Sequence, residues 1–184
     1  MQTAGMIACH ALEAVQDKGS FTLALSGGKT PAVLYQTLCM DDYKDKIPWD
    51  RTEIFWSDER CVPPDHPDSN YGLAWRELLD PLEIASKNIH RLPGELSPED
   101  GAQVGEKALQ EALNLTGRLD CVLLGMGADG HTASLFPDTL ALQETSRLVV
   151  ANFVSQLNQW RLTMTLPCIN QARQVIFLVT QDNK

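Results

Sequence analysis

The 184-residue chain has no stretch approaching ~18 uninterrupted apolar residues, so it offers no transmembrane helix. Its N-terminal segment, MQTAGMIACHALEAVQDKG, lacks the basic opening of a secretory signal and reads as an amphipathic helix. Positive charge is scarce. Fifteen Lys and Arg face 24 Asp and Glu, for a formal net charge of −9. Surfaces for nucleic acid or anionic membrane are usually basic, so neither partner is expected. An anionic small molecule is still accommodated, because a few local cations and backbone N–H groups are enough to hold it. The five cysteines (Cys9, Cys39, Cys61, Cys121, Cys168) are odd in number, widely spaced and free of any CxxC. They read as small core residues of a cytoplasmic protein. HExxH, EF-hand and Cys/His ligand spacings are missing too, so neither metal nor cofactor is expected. Repeats, low-complexity segments and linkers are also absent, which leaves a single domain over 1–184.

What is present is an alternation of helical and strand-like segments. Thr3 to Val15 carries apolar residues at helical spacing and is stopped by Lys18-Gly19-Ser20. Phe21 to Leu25 (FTLAL) has strand length, and Thr30 is expected to N-cap a helix with Pro31 at its first position. Thr52 to Trp56 (TEIFW) is the next strand, followed by the polar loop SDERCVPPDHPDSN and a helix over about Tyr71 to Leu79. Ser97-Pro-Glu-Asp100 opens a helix to about Asn114. Strands are expected at Leu119–Leu124, Leu148–Val154, Leu162–Leu166 and Val175–Val179, with a short helix near Pro167 to Arg173. This order predicts an α/β, Rossmann-like fold: a mostly parallel sheet with helices on both faces. Ligands of such sheets bind beyond the carboxyl ends of the strands. SGGKTP, SDER, GMGADGH and TQDNK would then share one address.

SGGKTP looks like half of a nucleotide P-loop, but Leu23 stands where the first glycine is required and Pro31 follows Thr30 at once. A G-x-S-x-G nucleophile elbow fails as well, because Ala24 replaces its first glycine. Two glycines between a strand and a helix suit either an anion cradle or a plain turn. Ser57-Asp-Glu-Arg60 reads as acid/base groups beside a cationic clamp, or as a solvated loop. In GMGADGH, Asp129 and His131 bracket Gly130, and His131 alone among the four histidines follows a core strand. Histidine is the side chain suited to proton exchange near neutral pH.

Five segments resemble the 6-phosphogluconolactonase family: LALSGGKTP, FWSDERCVPPDHPDSNYG, LDCVLLGMGADGHTASLFPD, RLTMTLPCINQAR and VIFLVTQDNK. The wider fold group is NagB/RpiA/CoA transferase-like. The resemblance implies hydrolysis of 6-phospho-D-glucono-1,5-lactone to 6-phosphogluconate, with His131 as general base and Asp129 either orienting it or binding a substrate hydroxyl. It implies a phosphate held by Ser26, Gly27, Gly28 and Thr30, with substrate contacts from Asp58, Arg60, Gly127, Arg161 and Lys184. The GMGADGH turn is expected to offer backbone N–H groups to a developing oxyanion. The implied partner is the phosphosugar lactone, bound by a monomer or weak homodimer. Lys29 and Gln181 replace the family's usual Ser and Gly. Against the family, an opening strand and a closing helix and strand are expected to be missing.

Three other readings compete. An amino-sugar-phosphate deaminase or isomerase resembles DGHIAFNEP, with an acid where this chain has Phe136 and a tyrosine where it has Arg60. The others are a non-catalytic sugar-phosphate binder and a nucleotide-binding protein.

Overall fold

Five small or branched side chains on one face of the first helix set the distance between that helix and the sheet. The computed structural model describes residues 2–179, apart from the side chains at 115 and 116. Helix α1 (Gln2–Lys18) buries Ala4, Ile7, Ala8, Ala11 and Ala14, a stripe at helical spacing. Gly19 ends it with φ 83°, a left-handed conformation that suits glycine.

Strand β1 (Phe21–Leu25) follows, buried at every position, as a strand inside a parallel sheet must be. Helix α2 (Lys29–Leu38) starts earlier than the sequence suggested. Gly28 is its N-cap, with φ 108°, and Thr30 and Pro31 lie in its first turn. Proline costs nothing there, because the first N–H groups of a helix have no partner within it.

Strand β2 (Thr52–Trp56) leads directly into β3 (Asp58–Arg60), a strand where a loop was expected. The reason is a partner far along the chain: β3 pairs antiparallel with β6 (Gln159–Met164). Helix α3 (Asn70–Ala74) continues as a π turn over Trp75–Leu79. Helix α4 (Pro98–Thr116) is N-capped by Ser97, which accepts from Asp100 N, and closed by Gly117 with φ 73°. Strands β4 (Cys121–Leu124) and β5 (Val149–Val154), helix α5 (Leu166–Gln171) and strand β7 (Gln174–Phe177) complete the described chain.

The parallel sheet has the order β2-β1-β4-β7, flanked by helices, and a second, antiparallel sheet has the order β3-β6-β5. The parallel sheet is the one expected from the alternation of strands and helices, and the antiparallel sheet stands beside it. Helix α4 packs on the antiparallel sheet through Gly101 and Gly105; a Cβ at Gly101 would fall 3.0 Å from Leu162 Cδ1 of β6, and one at Gly105 3.5 Å from Val149 Cγ1 of β5. No helix among the described residues is long and apolar enough to cross a membrane.

A buried carboxylate fixes the first helix and strand to the middle of the sheet. Asp120, 2% exposed, accepts from the backbone N–H and the hydroxyl of Thr22, both at 2.9 Å, and its own N–H donates to that hydroxyl at 2.8 Å. Lys18 Nζ pairs with it at 2.8 Å and Arg173 Nε at 3.6 Å. Removing one partner of a buried ion pair leaves the other uncompensated. Asp120→Ala should therefore cost about 3 kcal/mol in urea unfolding. A loss below about 1 kcal/mol would place the lock elsewhere.

Candidate active site

Because β2, β1 and β4 are neighbours and parallel, the loops after their carboxyl ends meet at one edge. They enclose a cavity of about 350 Å³. Seven residues singled out in the sequence line it: Ser26, Gly27, Asp58, Arg60, Gly127, His131 and Arg161. Gly28 and Thr30 form the start of α2 and do not line it. Asp129 is not part of the lining either, but it touches His131. Lys184 and the TQDNK loop from Thr180 onward lie outside the described residues.

The β1 turn is gripped from two sides. Tyr35, fully buried, donates from its hydroxyl to Ser26 O at 2.6 Å and accepts from Ser26 N at 3.1 Å. Burial pushes the Tyr35 phenol well above its ordinary pKa, so it stays a donor. On the other side lies Asn70; a Cβ on Gly27 would fall 1.7 Å from its Oδ1, so only glycine fits there. Ser26 Oγ and Asn70 Oδ1 are buried with no hydrogen-bond partner among the described residues. Such atoms are rare in folded proteins, and at a cavity wall they suit a ligand.

In β3, side chains alternate between faces. Asp58 and Arg60 line the cavity, while Glu59 points to the start of α3. Glu59 accepts from Ser69 Oγ at 3.0 Å, Asn70 N and Tyr71 N at 2.8 Å, and Arg60 N at 2.7 Å. Burial raises its pKa, and the backbone N–H groups pull against that rise. Antiparallel pairing sets Arg60 directly opposite Arg161. Like charges in register are unfavourable, and neither arginine forms an ion pair with a carboxylate among the described residues. Burial, and then the neighbouring Arg60, lower the pKa of Arg161. Two guanidinium groups in register, with Asp58 and Asp68 acting on Arg161 but no carboxylate in direct contact, suit an anion.

The DGH turn brings a carboxylate and an imidazole together. His131 Nδ1 and Asp129 Oδ1 are 2.6 Å apart, and Asp129 also accepts from His131 N at 3.2 Å. The bond from His131 holds the Asp129 carboxyl below its ordinary pKa. An ionised carboxylate only accepts, so Nδ1 carries the proton and the neutral ring keeps its lone pair on Nε2. The ring stacks on Phe136, with centroids 3.7 Å apart. Gly127 admits this arrangement, since a Cβ there would fall 2.1 Å from Nδ1.

Two amides of the turn, those of Gly127 and Gly130, are already engaged within it. Gly127 N donates to His131 O at 2.7 Å and Gly130 N to Gly127 O at 3.1 Å. Both are used in closing the turn. Asn70, Ser134, Phe136 and Tyr35 complete the site and were not assigned to it from sequence. For Asn70 the local signal is Ser69, whose hydroxyl caps α3 and so marks where Asn70 begins a helix. Among the described residues, no cluster of three or more His, Cys, Asp or Glu could hold a metal ion.

Lowering of an acid's folded pKa means the Asp129–His131 pair adds stability above the ordinary Asp value of 3.8, lost as pH falls through the lower folded value. Carboxyl-detected NMR should show Asp129 titrating below 3.8, and His131→Ala should return the midpoint toward it. An unchanged midpoint in that variant would mean that His131 is not the cause.

The chain is similar to known proteins over most of its length. The family model described as glucosamine-6-phosphate isomerases/6-phosphogluconolactonase matches residues 1–184. A 6-phosphogluconolactonase of Nostoc sp. is 45% identical over 176 residues, covering 93% of this chain and 71% of the relative. One from Haemophilus influenzae is 38% identical over 162 residues, covering 88% and 69%. The crystal structure of 6-phosphogluconolactonase from Thermotoga maritima superposes with a TM-score of 0.83 at 30% identity, covering 95% of this chain and 77% of that one.

Proposed function

The chain belongs to the glucosamine-6-phosphate isomerase/6-phosphogluconolactonase family, and from that premise we propose that it hydrolyses 6-phospho-D-glucono-1,5-lactone to 6-phosphogluconate, a step of the oxidative pentose phosphate pathway. The observation that carries the mechanism is the 2.6 Å contact between His131 Nδ1 and Asp129 Oδ1. It leaves Nε2 as the basic nitrogen of a ring that lines the cavity.

His131 Nε2 takes a proton from water as the water oxygen bonds to the lactone carbonyl carbon. The tetrahedral intermediate then expels the ring oxygen, which takes the proton from the imidazolium. The products are a carboxylic acid and a free hydroxyl, so atoms and protons balance. Asp129 stabilises the imidazolium between the two transfers. A lactone is an activated ester, so positioning and one base suffice, and no nucleophilic serine is needed. The Arg60–Arg161 pair and the Ser26–Gly27 turn are the anion-binding parts of the cavity and take the phosphate. Lys184 is proposed as a further cationic contact.

The deaminase reading is weaker. Phe136 stands where the amino-sugar enzymes carry an acid, and its ring lies flat on His131. The five free cysteines suit a reducing, cytoplasmic setting.

Lactone hydrolysis, corrected for spontaneous opening, tests the assignment. His131→Ala should lower kcat about 10²- to 10⁴-fold while 6-phosphogluconate still binds. Equal turnover by the variant would remove His131 from the mechanism. Release of ammonia from glucosamine 6-phosphate, without lactone hydrolysis, would favour the deaminase. Arg161→Ala should chiefly raise KM, by about tenfold or more, because phosphate binding is shared by ground and transition states. A fall confined to kcat would assign Arg161 to the reacting carbonyl instead.

A further inference from the structure

We propose that Asn70 and Ser134 are positioning residues that aim the Asp58 carboxylate at the ring hydroxyls of the substrate, so that Asp58 reads the polyol and the arginines read the phosphate. This rests on the lactonase reading and adds to it the division of labour within the cavity.

Asp58 is 8% exposed and is held at both oxygens. Ser134 Oγ donates to Oδ2 at 2.8 Å, and Asn70 Nδ2 donates to Oδ1 at 3.2 Å and to the Asp58 carbonyl at 2.9 Å. The two donors come from separate parts of the fold and are themselves fixed. Asn70 N donates to Glu59 Oε1 at 2.8 Å. Ser134 N donates to Thr163 Oγ1 at 3.2 Å, and Asn152 Nδ2 donates to Ser134 O at 2.9 Å. A carboxylate cannot swing when both oxygens are tied to buried, immobile donors.

Two oxygens offer about four acceptor sites, and the side-chain donors fill one on each. The rest is acceptor capacity on a group that lines the cavity with His131. No arginine or lysine forms an ion pair with Asp58 among the described residues. An acceptor-only group repels a phosphate and attracts hydroxyl donors. Asp58 therefore belongs to the neutral part of the ligand, and Arg60 and Arg161 to its charged end. Such an arrangement admits the lactone in one direction, with its carbonyl carried to a fixed place relative to His131.

The test measures kcat/KM for wild type, Ser134→Ala and Asn70→Ala on 6-phosphogluconolactone and on its 2-, 3- and 4-deoxy forms. Wild type should lose roughly tenfold or more on at least one deoxy lactone, the size of a hydrogen bond to a charged group. Each variant should lose a similar factor on the parent lactone and little more on that deoxy form, because the two deletions remove one shared interaction. Variants that lose the same factor on every lactone would overturn the proposal and leave both residues a role in the fold alone. So would a wild type indifferent to all three deletions. The same comparison by calorimetric binding of 6-phosphogluconate and its deoxy forms does not need turnover. A wild type that discriminates in binding yet hydrolyses no lactone would overturn the lactonase reading and keep this one.

Discussion

Two backbone hydrogen bonds at Ser57 join the two sheets, and the site is built on that joint. Ser57 N donates to Leu25 O, the last carbonyl of β1, and Ser57 O accepts from Met164 N, at the end of β6, each at 2.8 Å. The residue is fully buried. Up to it, the chain runs in a parallel ladder; one residue later, it runs in an antiparallel one. That change of partner carries Asp58 and Arg60 over the carboxyl edge of β1 and brings Arg161 up beside them.

The cavity is consequently made from rigid parts. Arg60 and Arg161 sit on paired strands, and register fixes them opposite each other despite their mutual repulsion. The fold holds this unfavourable contact because β6 is paired along both edges, with β3 and with β5. Asp58 and Glu59 show the same economy of placement. One carboxylate is directed into the cavity and the other to the N–H groups of α3, simply because successive side chains of a strand point to opposite faces.

Close approach is the second means by which the site is shaped. Gly27 lets the Asn70 amide lie against the turn after β1, and Gly127 lets the His131 ring close over its own loop. In the DGH loop, the amides of Gly127 and Gly130 are used to hold the turn. What the loop fixes is the placement and tautomer of one imidazole.

Local signals in the sequence were sufficient for the segments whose interactions are local. FTLAL is an apolar run of strand length, Gly19 a helix stop, Ser97 a cap, and each has that role in the fold. The glycine-rich turns and the DGH motif could be read as ligand-facing because they follow apolar strands. Other features had no local signature. SDER is polar and short, and it becomes a strand only because β6 supplies its partner. The start of α2 moved from Thr30 to Gly28 because the positive φ falls on that glycine. Asn70 and Ser134 lie on either side of Asp58 only after folding. The sequence by itself determined the chemical groups and, β3 apart, the order of helices and strands, since these depend on residue type and on spacing within a few residues. The tertiary structure alone decided which groups meet, because strand register and hydrogen bonds between distant segments leave no periodicity in the chain.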